Sequence, residues 1–272
     1  MKHLSILTVA FILGMNIVLY GKTLKVGTGQ TYTTIQSAIS DAAATGDTIK
    51  VMPGTYSEAI TINKNVVIQG SGYETTKIIS NSDPTVKMSG GKLMWFSVTS
   101  SLGDGIQITA GSVTNCVVVG CTRNGVYFAN TGSIKNSILF MNAASGITGY
   151  NTSTGSRSGS AVNCISWLNG SNGFYGMSGV TYCDGSINYC ANSSNVVNSD
   201  PMFTSGNDFH IPPTSPCYQT GNPGDLNPDG SQSSIGYFGG SDCPIYPVVT
   251  RIKIVPLGNG QVQIQATAQA NY

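Results

Sequence analysis

Four stretches of this chain align with one another without a gap, and that alignment narrows what the chain can fold into. Gly111-Ser112-Val113-Thr114-Asn115-Cys116-Val117 matches Gly132-Ser133-Ile134-Lys135-Asn136-Ser137-Ile138 and Gly159-Ser160-Ala161-Val162-Asn163-Cys164-Ile165. Gly185-Ser186-Ile187-Asn188-Tyr189-Cys190-Ala191 reads as a weaker fourth copy. A second glycine followed by an apolar residue recurs within the copies, at Gly125-Val126, Gly146-Ile147 and Gly173-Phe174, and Gly91 with Gly105-Ile106 extends the series upstream. The copies return every 20 to 27 residues, a spacing typical of solenoids. Their apolar runs are too short for helices and are bounded by Gly, Asn and Ser, so they read as strands. A single group of such strands cannot bury its apolar side, and the copies must therefore stack as rungs about 4.8 Å apart. The expectation is an all-β parallel solenoid.

Stacking turns equal positions into columns. Val113, Ile134, Ala161 and Ile187 are expected to form one internal column, and Phe96, Cys116, Ser137, Cys164 and Cys190 a second. Small, soft side chains in register are a packing solution, and no His accompanies them as a zinc site would require. Asn115, Asn136 and Asn163 form a third column at a turn, where Asn tolerates a left-handed backbone and its amide can bond along the ladder. Val119, Phe140 and Trp167 form a fourth. It is core if it points inwards, and an aromatic strip suited to sugar faces if it points outwards. Seven cysteines leave at least one free thiol in a monomer. Cys217 and Cys243 lie outside the repeat and flank a loop-rich segment, which makes them the candidate disulfide.

The first 21 residues are expected to be a secretory signal: Lys2 and His3, an apolar run from Leu4 to Leu19, and a small residue before Lys22. The rival, a membrane anchor, is disfavoured because the run is short and carries Asn16. Residues 22–243 are read as the solenoid domain, opened by a helix. Ile35, Ala38, Ile39 and Ala42 share one helical face, with Thr33 or Thr34 as N-cap. Residues 244–272 are read as a linker and the start of an incomplete second β module. There Arg251–Val255 and Gln261–Gln265 alternate around Gly258-Asn259-Gly260, a hairpin pattern.

The run from Tyr32 to Gly72, with Pro53-Gly54-Thr55-Tyr56 and Val66-Val67-Ile68-Gln69-Gly70, resembles the opening of the pectin-lyase-like right-handed parallel β-helix superfamily. Ser199-Asp200-Pro201-Met202-Phe203 through Gly236-Tyr237-Phe238-Gly239-Gly240 resembles the closing coils of bacterial secreted members, the right-handed β-helix repeat or choice-of-anchor Q domain proteins. The resemblance implies a right-handed parallel β-helix with a short N-terminal capping helix. It implies no particular reaction, because one superfamily hosts many chemistries. Ser234 stands where that pattern usually carries an acidic residue. Pro53 to Glu58 also resembles the start of pectin methylesterases, whose downstream catalytic Asp motifs have no counterpart here, so the resemblance implies only the fold.

The residues constrain the chemistry further. Glycoside hydrolysis needs paired carboxylates, and between Thr85 and Cys183 the chain has only Asp104. A uronate lyase would need a cation and a base. Arg123, Arg157 and Tyr150 are the candidates, with Tyr127, Tyr175 and Trp167 as substrate-binding residues. Tyr150–Ser158 is extra length relative to the shorter coils and should protrude. Asp225, Asn227, Asp229 and Ser231 alternate like the first half of a calcium loop, so a structural Ca²⁺ is the one cofactor considered. A turn explains the same string. The formal net charge of +1 gives no reason to expect nucleic acid. The leading expectation is an exported, non-catalytic module that binds polysaccharide or acts at a cell surface. A polysaccharide lyase and a purely structural surface protein are the alternatives.

Overall fold

The computed structural model describes residues 21–244, 246–258 and 261–271; the expected signal segment lies outside them, save Gly21. The chain is an all-β parallel solenoid of about eight turns. Helix Ile35–Asp41 starts it, with Thr34 as N-cap accepting from the Ser37 amide. Glu58 assists from the first coil, its two carboxylate oxygens accepting from the Ile35 and Gln36 amides at 2.7 and 3.0 Å. These donors have no partner within the helix, and a carboxylate there also meets the positive end of the helix dipole. Ile35, Ala38 and Ile39 are fully buried against the first strands, as their spacing predicted.

Successive coils are in register wherever the repeat is strong. Ser112, Ser133 and Ser160 pair in line, followed by Val113, Ile134 and Ala161. On the second side Val117, Ile138 and Ile165 align, and Ile106, Val126, Ile147 and Phe174 align on the third. The Val113 and Ile106 columns are 0–1 % exposed and belong to the coil's core, whereas Val117, Ile138 and Ile165 are buried on the outer side, in a second core. Some glycines stand where a rung leaves no room for a Cβ. At Gly111, with φ of 106°, one would lie 2.6 Å from the Gly90 carbonyl oxygen.

The fourth copy was misaligned by the sequence pattern. The rung after Ala161 is completed by Val180 and then by Ser193, not by Ile187. Ile187 pairs with Phe174, so Ser186, not Gly185, takes the position of Gly173 in the series of second glycines. The cysteine column follows suit: Cys164 is succeeded by Cys183, whose Sγ accepts from the Cys164 amide at 3.4 Å, and Cys190 is not a member. Two candidate alignments differ there by a few residues, and only backbone pairing decides between them.

The Asn column takes the left-handed turn conformation expected of it, with φ of 45°, 46° and 53° at Asn115, Asn136 and Asn163. Its amides do not bond along the ladder. They hold the segment of residues 199–243, which is not a set of closing coils. That segment contains no strand, runs back along the outside of the sheet formed by Gly54–Ser57, Thr76–Ser80, Ser97–Ser100, Val117–Val119, Ile138–Phe140 and Ile165–Trp167, and makes a second core there. Asn115 Nδ2 donates to the Gly239 carbonyl at 3.0 Å, and Asn136 Nδ2 to Asp225 at 3.0 Å. Asn163 Oδ1 accepts from the Asn222 amide at 2.7 Å. Trp95 and Lys92 fasten the far end of the segment through Asp242.

This segment settles the Val119–Phe140–Trp167 column. Its side chains point away from the coil interior, yet Phe140 is buried because Phe203 and Phe209 cover it at ring-centroid distances of 5.8 and 5.3 Å. It is neither coil core nor an open sugar platform. The hairpin expected near the end is present: Tyr246–Gly258 pairs antiparallel with Gln261–Asn271, with Ile254 opposite Ile264, and among the described residues neither strand pairs with the solenoid.

Candidate functional site

The candidate residues divide into three groups. The first is a tyrosine patch on the outside of the coil. Tyr127, Thr148, Tyr175 and Asn188 occupy one outward position on four successive rungs, because each follows an inward apolar residue in a strand of period two. Beside this row, the extra length at Tyr150–Ser158 forms a small antiparallel hairpin, with Tyr150 opposite Arg157 and Asn151 opposite Ser156. Asn151 Oδ1 accepts from the Ser153 and Thr154 amides and fixes its tip.

The hairpin folds Tyr150 over the row. Tyr150 and Tyr175 lie 5.5 Å apart by ring centroids at 69°, Tyr150 and Tyr189 lie 5.9 Å apart, and Tyr175 and Tyr189 lie 6.0 Å apart. Such tilted contacts suit the ring quadrupoles and hold three rings as one rigid surface. The Arg157 guanidinium lies 5.8 Å from the Tyr189 ring centroid, and its Nε donates to the Tyr189 carbonyl at 2.5 Å. Tyr189 is 59 % exposed and Tyr175 and Tyr150 are partly exposed, so the patch is open to solvent. Tyr127 lies two rungs along the same row, with Thr148 between it and Tyr175. Sequence reasoning singled out Tyr127, Tyr150, Arg157 and Tyr175 but not Tyr189, because the misaligned fourth copy placed it in a turn away from the others.

The second group surrounds Arg123. Asp83 and Asp104 are 21 residues apart and one rung apart, and both reach the guanidinium: Asp83 Oδ2 at 2.5 Å and Asp104 Oδ2 at 3.5 Å. Asp104 is buried and also accepts from the Asn124 amide and side chain at 3.0 and 2.9 Å. Asp83 Oδ1 accepts from the Asp104 amide at 2.9 Å. A carboxylate pair that the linear count missed is therefore present. Every carboxylate oxygen in it is engaged, and Arg123 is neutralised by two anions, so it is not a free cation for a uronate. This counts against Arg123 as a lyase residue.

The third group lies in the segment outside the coil. Cys217 and Cys243 do not form the expected disulfide; both are free and buried. Cys217 Sγ faces Asp184 Oδ2 at 3.1 Å and Cys243 Sγ faces the Phe238 carbonyl at 3.1 Å. Burial pushes the Cys243 thiol up to about 12 and that of Cys217 further. The four residues considered for Ca²⁺ hydrogen-bond to protein partners. Asp225 accepts from Asn136 and Ser241, Asn227 Oδ1 from the Gly240 amide, and Asp229 from the Ser231 amide and hydroxyl. Burial alone would raise the Asp225 carboxyl, but the bonds from Asn136 and Ser241 outweigh it and leave it lowered. The string is thus a hydrogen-bonded turn that anchors the segment to the Asn column. Trp167 belongs to the second core, not to the tyrosine patch.

No family model matches the chain. It is 29 % identical over 101 residues to a cell surface glycoprotein of Methanothermus fervidus, a match covering 37 % of this chain and 17 % of that protein. It thus spans less than a fifth of the curated relative. Similar solved structures include a pectin methylesterase from Aspergillus niger, at 14 % identity and TM-score 0.38 over 69 % of this chain and 93 % of that one. A pectin methylesterase in complex with a hexasaccharide is similar at 14 % identity and TM-score 0.37, over 67 % of both chains.

Proposed function

We propose that this chain is a surface or secreted β-helix module that binds polysaccharide without cleaving it. The tyrosine patch carries the reading. Three rings held at 5.5–6.0 Å, open to solvent and beside a guanidinium, offer what a sugar chain uses: flat apolar faces for C–H surfaces and fixed donors for hydroxyls or a carboxylate. Tyr127 continues the row two rungs from Tyr175, beyond the buried Thr148, so a chain lying along the solenoid axis meets Tyr127 as well as the three rings. Tyrosine suits such a site because its ring is already immobilised and little rotamer entropy is lost on binding. The surface or secreted location is supported by the export-like N-terminal segment and by the name of the Methanothermus relative.

Binding to a panel of neutral and uronate polysaccharides by affinity electrophoresis tests this reading. Tyr175→Ala and Tyr150→Ala are each expected to weaken binding about tenfold, ~1.4 kcal/mol, without changing the circular dichroism spectrum. Retention of full affinity by the Tyr150→Ala/Tyr175→Ala pair would remove the site. Appearance of the ultraviolet absorbance of an unsaturated uronate, abolished by Arg157→Ala, would replace a binding module with a lyase.

A further inference from the structure

The two ends of the solenoid are finished differently. At the first end, helix Ile35–Asp41 seals the core. The last rung consists of Ile187–Asn188, Asn192–Ser194 and the bridge residue Val197, and each is paired on one side only. The following segment does not cover it, because it turns back along the Gly54–Ser57 to Ile165–Trp167 sheet. Ser186–Tyr189 and Ala191–Asn195 are consequently exposed.

The core is open at that end as well. Ile106, Val126, Ile147 and Phe174 are each 0 % exposed, whereas Ile187, the next member of their inward column, is 43 % exposed. Gly185 to Asn198 contains no charged residue and no proline. Exposed sheet edges in monomeric proteins usually carry Lys, Pro, a bulge or a covering element to prevent pairing. This edge has none of these.

We propose that the terminal rung is a self-association surface, on which the last rung of one copy stacks against the last rung of a second copy. Unpaired backbone N–H and C=O groups are met by strands of matching length and spacing, and a second copy supplies the same short strands. With no charge on either side, the two rungs meet without repulsion, and Ile187 of each closes the open core of the other. A two-fold axis across the solenoid axis satisfies this geometry, giving an isologous pair that closes at two and does not grow into a fibre. Tyr189 stands on the same rung, so pairing sets the tyrosine patches of two copies side by side. The inference stands independently of the polysaccharide reading.

Light scattering on the full chain over a concentration series is expected to show a monomer–dimer equilibrium. Ile187→Lys and Ser193→Lys, both on the rung and outside the tyrosine patch, should each shift it to monomer with an unchanged melting curve. Ile254→Lys, on the separate hairpin, should leave it intact. Hydrogen exchange of the wild-type chain gives a readout free of mutation: amides from Ile187 to Ser194 should exchange at least tenfold more slowly in the concentrated sample. A monomer at every concentration, a dimer lost only through Ile254→Lys, or concentration-independent exchange of these amides would each overturn the proposal.

Discussion

Asn136 illustrates how one residue type serves two ends at once. Its backbone takes a left-handed turn that most residues resist, and its amide donates to Asp225 in the overlying segment. Glycine meets the more severe steric demand. At Gly111 a Cβ would face the Gly90 and Gly91 carbonyl oxygens at 2.6 and 2.7 Å with φ at 106°. Gly111→Ala should therefore lose about 1–3 kcal/mol in a denaturant titration. Loss of less than ~0.5 kcal/mol would mean that the rung relaxes there. Asp184 carries a different cost. It is fully buried, with Oδ1 accepting from the Ser199 amide at 3.0 Å and Oδ2 facing Cys217, and burial raises its pKa. A raised carboxyl binds its proton more tightly in the folded chain, so its contribution is present at low pH and is lost as pH rises through the folded value. Asp184→Asn keeps an acceptor for Ser199 and removes the charge. The variant should melt above wild type at neutral pH, and the two curves should converge in acid; a lower melting temperature at neutral pH would contradict this.

At the scale of elements, the segment of residues 199–243 matters as much as any strand. It has no regular structure of its own, and its order derives from a row of aromatic contacts and from the Asn column. Phe209 is central, with Phe203, Phe140 and Tyr73 at 5.1, 5.3 and 5.6 Å. Phe209→Ala should cost roughly 3–5 kcal/mol of segment docking. The expected signature is rapid proteolysis within residues 199–243 while the coil survives as a resistant core. Simultaneous digestion of coil and segment would show instead that the two fold as one cooperative unit. The Tyr150–Arg157 hairpin is the functional counterpart. It inserts between two rungs without breaking their pairing, since Ser133 still pairs with Ser160, and it projects one tyrosine over a neighbouring strand.

At the scale of the whole molecule, the solenoid is a one-dimensional stack whose neighbours interact and whose ends decide its fate. One end is sealed by a helix and the other is bare, and the tyrosine patch lies towards the bare end. Much of this was legible in the residues alone. The repeat dictated parallel stacked strands, because short apolar runs at equal spacing have no other way to bury themselves. The helix face and its N-cap, the left-handed Asn turn, the protruding Tyr150–Ser158 length and the terminal hairpin followed from local rules of period, sterics and turn chemistry. The tertiary structure alone decided what depends on distant segments meeting. It shifted the fourth copy out of the first three's register, turned the Asn amides outward onto the segment and covered the Phe140 column. It also separated Cys217 from Cys243, set Asp83 beside Asp104, and added Tyr189 to Tyr150 and Tyr175. The physical reason is common to all of these. Local pattern specifies which residues can point inwards on a strand, whereas the partner above, below or outside is chosen by backbone pairing and burial across tens of residues of intervening chain.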